Sequence, residues 1–241
     1  MNEIEQMIIK LENDKEPDYT TMAILKNYST LFNNLPSDEK GKFLLDLGTD
    51  LQRESWSLAL DSWNYALKYF IKNNDTDGKS ICYKNLGIAY YKLGDFQKAI
   101  EYYEKALKIS QVLQDLYEES ACYTLLGIVY NKLGDFRKAV EYHKNSLKIA
   151  RALNDEGREL EFDCYGNIGN AYYNLSDFRK AIEYYEKLLE IAQKTGDKDR
   201  ESTCYNLLGK CYTMLGNPQK AIEYHKKSLA IREDFKEFVE I

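Results

Sequence analysis

One pattern beginning at Cys82 (Cys-Tyr-Lys-Asn-Leu-Gly-Ile-Ala-Tyr-Tyr-Lys-Leu-Gly-Asp-Phe) returns in register at Cys122, Cys164 and Cys204, at spacings of 40, 42 and 40 residues. A period of this length means stacked supersecondary units, each unable to bury its apolar face alone. Such a chain makes its core between neighbouring units. Its expected work is binding along a surface rather than chemistry in a closed pocket.

Each copy reads as two helices. In the second, Tyr123, Leu126, Tyr130 and Leu133 recur at three- and four-residue spacing, one face of an α-helix. Gly134-Asp135 then interrupts it. Glycine suits the left-handed position past a helix C-terminus, and aspartate caps the helix that follows. Phe136, Ala139, Val140, His143 and Leu147 mark the buried face of the second helix. In the last copy Gly216, Asn217 and Pro218 do the same work. The third has Ser176 where the others have Gly, which predicts a strained turn or one of another type.

A second glycine in each copy, at Gly87, Gly127, Gly169 and Gly209, falls inside the first helix, where it costs about 1 kcal/mol relative to alanine. Its recurrence predicts a steric need, namely two helix backbones in close approach. Ala99, Ala139, Ala181 and Ala221 are the matching small positions on the second helix, with Tyr90, Tyr130, Tyr172 and Tyr212 filling the space beside them.

These residues, in the order Tyr83, Leu86-Gly87, Tyr90, Ala99, Tyr103 and Ala106, resemble the tetratricopeptide repeat family. Ser146 and Ser228 keep the last position small, whereas Leu188 does not. The resemblance covers about residues 80–233. At 40 residues rather than 34, the copies look like the long-helix subgroup, which includes the Leu-Gly-Asn repeat adaptors and many prokaryotic regulators. Six extra residues shared by two helices add about 4.5 Å to each at 1.5 Å per residue. The implied fold is all-α, a right-handed superhelical solenoid of antiparallel helix pairs.

Upstream, Trp56, Ala59, Leu60, Trp63, Ala66 and Leu67 match Phe96, Ala99, Ile100, Tyr103, Ala106 and Leu107, so residues 43–79 read as a degenerate copy. Its first helix fits only with a one-residue shift at Leu47-Gly48. Two amphipathic helices, about 2–13 and 19–34, are expected before it, with Pro36-Ser37-Asp38 starting the next. The expected division is a helical cap at 1–42, a degenerate repeat at 43–79, and repeats at 80–119, 120–161, 162–201 and 202–241, all in one continuous solenoid. A cap is expected because the first repeat's apolar face must be hidden.

Charge and composition exclude several functions. Residues 1–79 hold 9 Lys/Arg against 14 Asp/Glu, and the remainder holds 24 against 25, so the chain's net charge of −6 sits mostly in the cap. Neither part has the basic excess of a nucleic-acid binder. No apolar run approaches the length of a membrane span. Met7-Ile8-Ile9 is too short for a signal-peptide core, and a cytoplasmic protein is expected.

Four of the five cysteines occupy one repeat position, on the order of 10 Å apart across packed helices, too far for a disulfide. With no Cys-x-x-Cys, they read as small apolar packing residues in a reducing compartment. His143 and His225 stand where other copies have Tyr103 and Tyr185, as aromatic substitutes on a packing face. There is no phosphate-cradling glycine loop, nucleophile elbow or metal-spaced His/Glu set. No catalytic residue, metal or cofactor is expected.

The resemblance implies that the first helix of each repeat lines a concave groove. The candidate lining residues are Lys84, Ile88 and Tyr91; Thr124, Ile128 and Asn131; Asn167, Asn170, Tyr173 and Asn174; and Asn206 and Lys210. The asparagines carry donors and an acceptor, suited to the backbone of an extended peptide, and Gly166 leaves room beside them. Lys84 matches the first position of the family's carboxylate clamp for chaperone tails, but Ile88, Ala121 and Leu125 break it. Only Ile168-Gly169-Asn170 keeps the Leu-Gly-Asn signature.

The expectation is therefore a non-enzymatic scaffold holding a peptide of a protein partner, with neither nucleic acid nor membrane involved. The alternative is a regulatory or sensory module of a larger signalling or transcriptional system. The tail Phe235–Ile241 places apolar residues at three- and four-residue spacing. It either caps the array, continues in a longer array, or pairs two molecules weakly through the C-terminal helix, the last being favoured.

Overall fold

A computed structural model of the chain describes the backbone of residues 2–13 and 19–239, and the side chains of 2–13 and 21–233. Among these residues there are twelve α-helices, one 3-10 turn and no strand. The chain forms two compact units, Met1–Glu118 and Glu119–Ile241.

The first unit contains α1 (Glu3–Glu12), α2 (Tyr19–Asn34), α3 (Lys40–Leu51), α4 (Trp56–Lys72), α5 (Thr76–Lys92), α6 (Phe96–Leu113) and the start of α7 (Leu116–Lys132). The N-terminal helices fall where the amphipathic pattern puts them, whereas α3 begins at Lys40, after a turn at Pro36 whose carbonyl accepts from the amides of Glu39 and Lys40. Ile4, Met7, Leu11, Leu25 and Phe32 are buried with Leu44, Trp63 and Phe70 in one core. The cap is tied to α4 by polar bonds as well: Glu3 and Gln6 accept from the hydroxyls of Tyr69 and Tyr65 at 2.9 and 2.8 Å, and Lys10 meets Asp61 at 2.5 Å.

The second unit contains the rest of α7, then α8 (Phe136–Ala152), the 3-10 turn Asn154–Gly157, α9 (Arg158–Asn174), α10 (Phe178–Thr195), α11 (Lys198–Met214) and α12 (Pro218–Val239). Its core gathers Ala139, Leu147, Ile168, Ala181, Tyr185, Leu188 and Leu208. The apolar tail singled out in the sequence, Phe235 through Ile241, lies outside the described side chains.

The turns obey the predicted chemistry. Gly94, Gly134 and Gly216 have φ of +84°, +79° and +69°, and Ser176 adopts the same left-handed conformation at +60°. The Asp95 amide reaches back to the Tyr90 carbonyl and the Gly94 amide to Tyr91, a closure that satisfies the last carbonyls of α5. Asp95, Asp135, Asp177 and Asn217 each accept from the amide three residues on, at 3.1–3.2 Å, capping α6, α8, α10 and α12.

The helix-internal glycines meet a different neighbour from the one expected. A side chain on Gly87, Gly127, Gly169 or Gly209 would strike the ring of Tyr103, His143, Tyr185 or His225 on the paired helix, not that helix's backbone. The flat ring lies directly on the glycine Cα, so the steric need is set by an aromatic side chain. Gly48 does the same for Trp63, 15 residues on instead of 16, which accounts for the one-residue shift of the degenerate copy. The second tyrosines stack in parallel pairs: Tyr90 with Tyr102, Tyr130 with Tyr142, Tyr172 with Tyr184 and Tyr212 with Tyr224, all with centroids within 5.3–5.6 Å. Leu133, predicted to continue the helical face of Tyr123, Leu126 and Tyr130, instead falls in the turn after α7 and is exposed.

Candidate peptide-binding surface

The twelve candidate residues lie on four helices. In the first unit α5 presents Lys84, Ile88 and Tyr91, all half-buried. The Lys84 ammonium is already engaged, donating to both carboxylate oxygens of Glu118 at 2.7 and 2.6 Å. Tyr91 lies against Phe96 at 5.7 Å between centroids.

In the second unit α7 presents Thr124, Ile128 and Asn131. Thr124 is drawn toward α8 by a 2.9 Å hydrogen bond with Ser146, which also meets Ser120 at 2.8 Å. Asn131 approaches the buried His143 at 3.4 Å, with its Nδ2 donating to Nε2 as the groups are oriented. This leaves Asn131 Oδ1 and His143 Nδ1 buried without partners among the described residues. Burial holds the His143 imidazole down at a pKa of about 4, so it is neutral at ordinary pH.

On α9, Asn170 is exposed, and its carbonyl accepts from the Tyr185 hydroxyl at 2.7 Å. That bond fixes the ring lying on Gly169. Tyr173 is half-buried, edge-on to Phe178 at 5.3 Å. Asn167 and Asn174 on α9, and Asn206 on α11, carry no side-chain hydrogen bond among the described residues. Asn174 and Lys210 are exposed, whereas Asn167 and Asn206 are half-buried. Beside them, a side chain on Gly166 would meet only Leu188, at 3.9 Å, so the space over that glycine is open.

The candidates therefore divide by what they already hold. Lys84, Thr124, Asn131 and Asn170 make bonds within the protein, while Asn167, Asn174, Asn206 and Lys210 carry polar groups with no side-chain hydrogen bond among the described residues. Sequence position alone does not separate the two sets, because the partners (Glu118, Ser146, His143, Tyr185) come from other helices. Sequence reasoning also passed over a row of cations on α8. The signal was present, since α8 holds five Lys/Arg against one Glu in a chain of net charge −6.

All five cysteines are buried free thiols, as the packing argument expects. Burial pushes the Cys82 and Cys204 thiols up to about 12, and those of Cys164 and Cys211 to about 11, the direction of inert rather than nucleophilic sulfur. Among the described residues no three His, Cys, Asp or Glu side chains are grouped to hold a metal, and no helix is long and apolar enough to cross a membrane.

These features define a class: an all-α protein of paired helices, repeated along the chain and locked by aromatic rings on glycine. Models of the tetratricopeptide repeat match residues 80–111, 119–194 and 165–234, together more than half of the sequence. The chain belongs to the tetratricopeptide repeat family. BtubC (BKLC) from P. vanneervenii has a similar fold, with a TM-score of 0.72 at 23% identity over 98% of this chain and 93% of its own. The apo form of RapI gives 0.78 at 18% identity over 96% of this chain and 64% of RapI. A signal transduction ATPase with numerous domains and a tetratricopeptide repeat sensor, from Pyrococcus horikoshii, gives 0.74 at 20% identity, over 95% of this chain and 37% of that protein. At these identities the likeness is one of fold. No curated protein sequence matches the chain. Family and fold are those of a protein-interaction or regulatory module.

Proposed function

We propose that the chain is a non-enzymatic interaction module whose second unit holds an extended peptide of a partner protein on the faces of α9 and α11. The carrying observation is the set of unengaged amides, Asn167, Asn174 and Asn206, beside the open space over Gly166. An amide side chain donates and accepts at once, so it matches a peptide backbone without reading side chains. Ile128 and Tyr173 supply half-buried apolar surface on the neighbouring candidate positions.

The test is a displayed peptide library selected on the wild-type protein, with binders then measured by fluorescence anisotropy. Asn167→Ala with Asn206→Ala removes only unengaged groups and should weaken binding about tenfold, as expected from losing two hydrogen bonds of about 0.5–1.5 kcal/mol each. Adding Asn170→Ala also frees the Tyr185 hydroxyl, so that variant needs a melting curve beside it. Binders whose affinity the double variant leaves untouched would refute the assignment.

The second reading is a regulatory or sensory module within a larger signalling system. It is favoured by the match of nearly the whole chain to only part of RapI and of the sensor-bearing ATPase. Selected peptides whose affinity depends on Asn167 and Asn206 support the first reading, and a folded chain that retains none favours the second.

A further inference from the structure

On α8 of the second unit, Arg137, Lys144, Lys148 and Arg151 follow one another at seven, four and three residues, so they share one face of the helix. Val140 and Leu147 lie between them on that face. Two cavities open along it. One, of about 320 Å³, is lined by Arg137, Val140, Tyr172, Leu175, Asp177 and Lys180. The other, of about 370 Å³, is lined by Lys144, Leu147, Lys148, Arg151, Tyr184 and Lys187. In line along this face of α8 they make a trench lined from α8, α9 and α10, with six cations, the Asp177 carboxylate, and tyrosine and aliphatic side chains around it.

Two of the six cations are paired with carboxylates, and the others meet hydroxyls, rings or solvent. Lys180 pairs with Asp177 at 2.8 Å, and Arg151 meets Glu161 at 3.2 Å and the Tyr165 hydroxyl at 2.6 Å. Lys144 donates to the Tyr172 hydroxyl at 3.2 Å, and Lys187 lies over the Tyr184 and Tyr165 rings at 5.0 and 5.8 Å. Lys148 is exposed and has no ion pair among the described residues. Helix stacking does not require these cations. At the positions of Lys144, Lys148 and Arg151, α6 carries Glu104, Lys108 and Gln111, and α10 carries Glu186, Glu190 and Gln193.

We propose that this trench binds an acidic, extended segment of a partner protein. From Arg137 to Arg151 it runs about 21 Å at 1.5 Å per residue, the span of about six residues of extended chain. Acidic side chains would meet the walls, and apolar ones would enter the two cavities over Val140 and Leu147. A chain of net charge −6 repels long polyanions beyond the reach of the trench, which favours a short acidic segment. The site is separate from the α9–α11 asparagines, so either assignment can fail alone.

The experiment is fluorescence anisotropy with a labelled octapeptide of Asp and Glu containing one Leu and one Phe, against the same peptide with Asn and Gln in place of the acids. The acidic peptide should bind and the neutral one should not, with affinity falling as salt is raised from about 50 to 200 mM. Lys148→Glu with Lys187→Glu should weaken binding about tenfold or more at low salt, as expected for loss of charge complementarity. The conservative Lys148→Gln tests the same point without introducing an acid, and circular dichroism confirms the fold of each. Asn167→Ala with Asn206→Ala should leave this affinity unchanged. Equal binding of the neutral peptide, or indifference to Lys148→Glu, would overturn the proposal. So would a single-stranded oligonucleotide or phosphatidylserine vesicles displacing the peptide at lower concentration than unlabelled peptide does.

Discussion

Gly166 and Gly169 sit one turn apart on α9 and meet opposite surroundings. A Cβ on Gly166 has open space apart from Leu188 at 3.9 Å, whereas one on Gly169 would lie 2.5 Å from the Tyr185 ring. Gly166→Ala should therefore raise stability by up to about 1 kcal/mol through helix propensity. Gly169→Ala should lower it by about 1–3 kcal/mol through overpacking. Urea midpoints of the two variants decide this, and a shared direction would refute the ring-on-glycine account. His143 makes a second residue-scale test. Its imidazole resists protonation down to a pH of about 4, while in the unfolded chain it takes a proton near 6.5. The unfolded state thus binds more protons between those values, so stability is fully present above pH 6.5 and falls as pH drops toward 4. The difference is worth roughly 3 kcal/mol at most, at 1.36 kcal/mol per pKa unit. His143→Tyr, the residue found at this position in two other copies, should flatten melting temperature against pH in that window. Carboxylate titration will leave some slope, so the difference between variants is the measurement.

At the scale of the element, the turn between α9 and α10 is the informative one. Ser176 takes the left-handed conformation that glycine takes in the three equivalent turns. A non-glycine residue there costs about 1–2 kcal/mol, partly offset by the extra chain entropy that a glycine loses on folding, about 0.5–1 kcal/mol. Ser176→Gly should stabilise the second unit by about 0.5 kcal/mol, read as a small rise in the denaturant midpoint. Gln114, at φ +56° before α7, offers the same test in the first unit. The caps are the other half of the turn. Asp135→Ala should cost about 1 kcal/mol, because the Lys138 amide loses its acceptor.

For the whole molecule, the buried thiols give a direct readout of folding. All five cysteines lie in packed interiors of the two units. In native buffer they should react slowly with a thiol reagent, and in denaturant without reductant all five should titrate. A count below five would mean that a disulfide had formed, and fast native labelling would mean that the helix pairs open readily.

The sequence by itself determined the all-α fold, the helix pairs, the capped turns and the family. These follow from local chemistry repeated in register: Asp after Gly, aromatic and aliphatic residues at helical spacing, and a period near 40 residues. The need for a glycine at 87, 127, 169 and 209 was also legible, but its cause was not. It depends on which ring the paired helix lays over the Cα, and that is a through-space fact. The candidate surface shows the same limit. Asn170 and Asn206 look alike in the sequence, yet Tyr185 occupies one, and the other holds no side-chain hydrogen bond among the described residues. The trench cations were visible as a count along α8, while their convergence with Lys180 and Lys187 on common cavities needed α9 packed between α8 and α10. Short-range patterns set the elements, because caps and turns act within a few residues. Which polar groups remain for a partner is decided by neighbours that only the tertiary structure supplies.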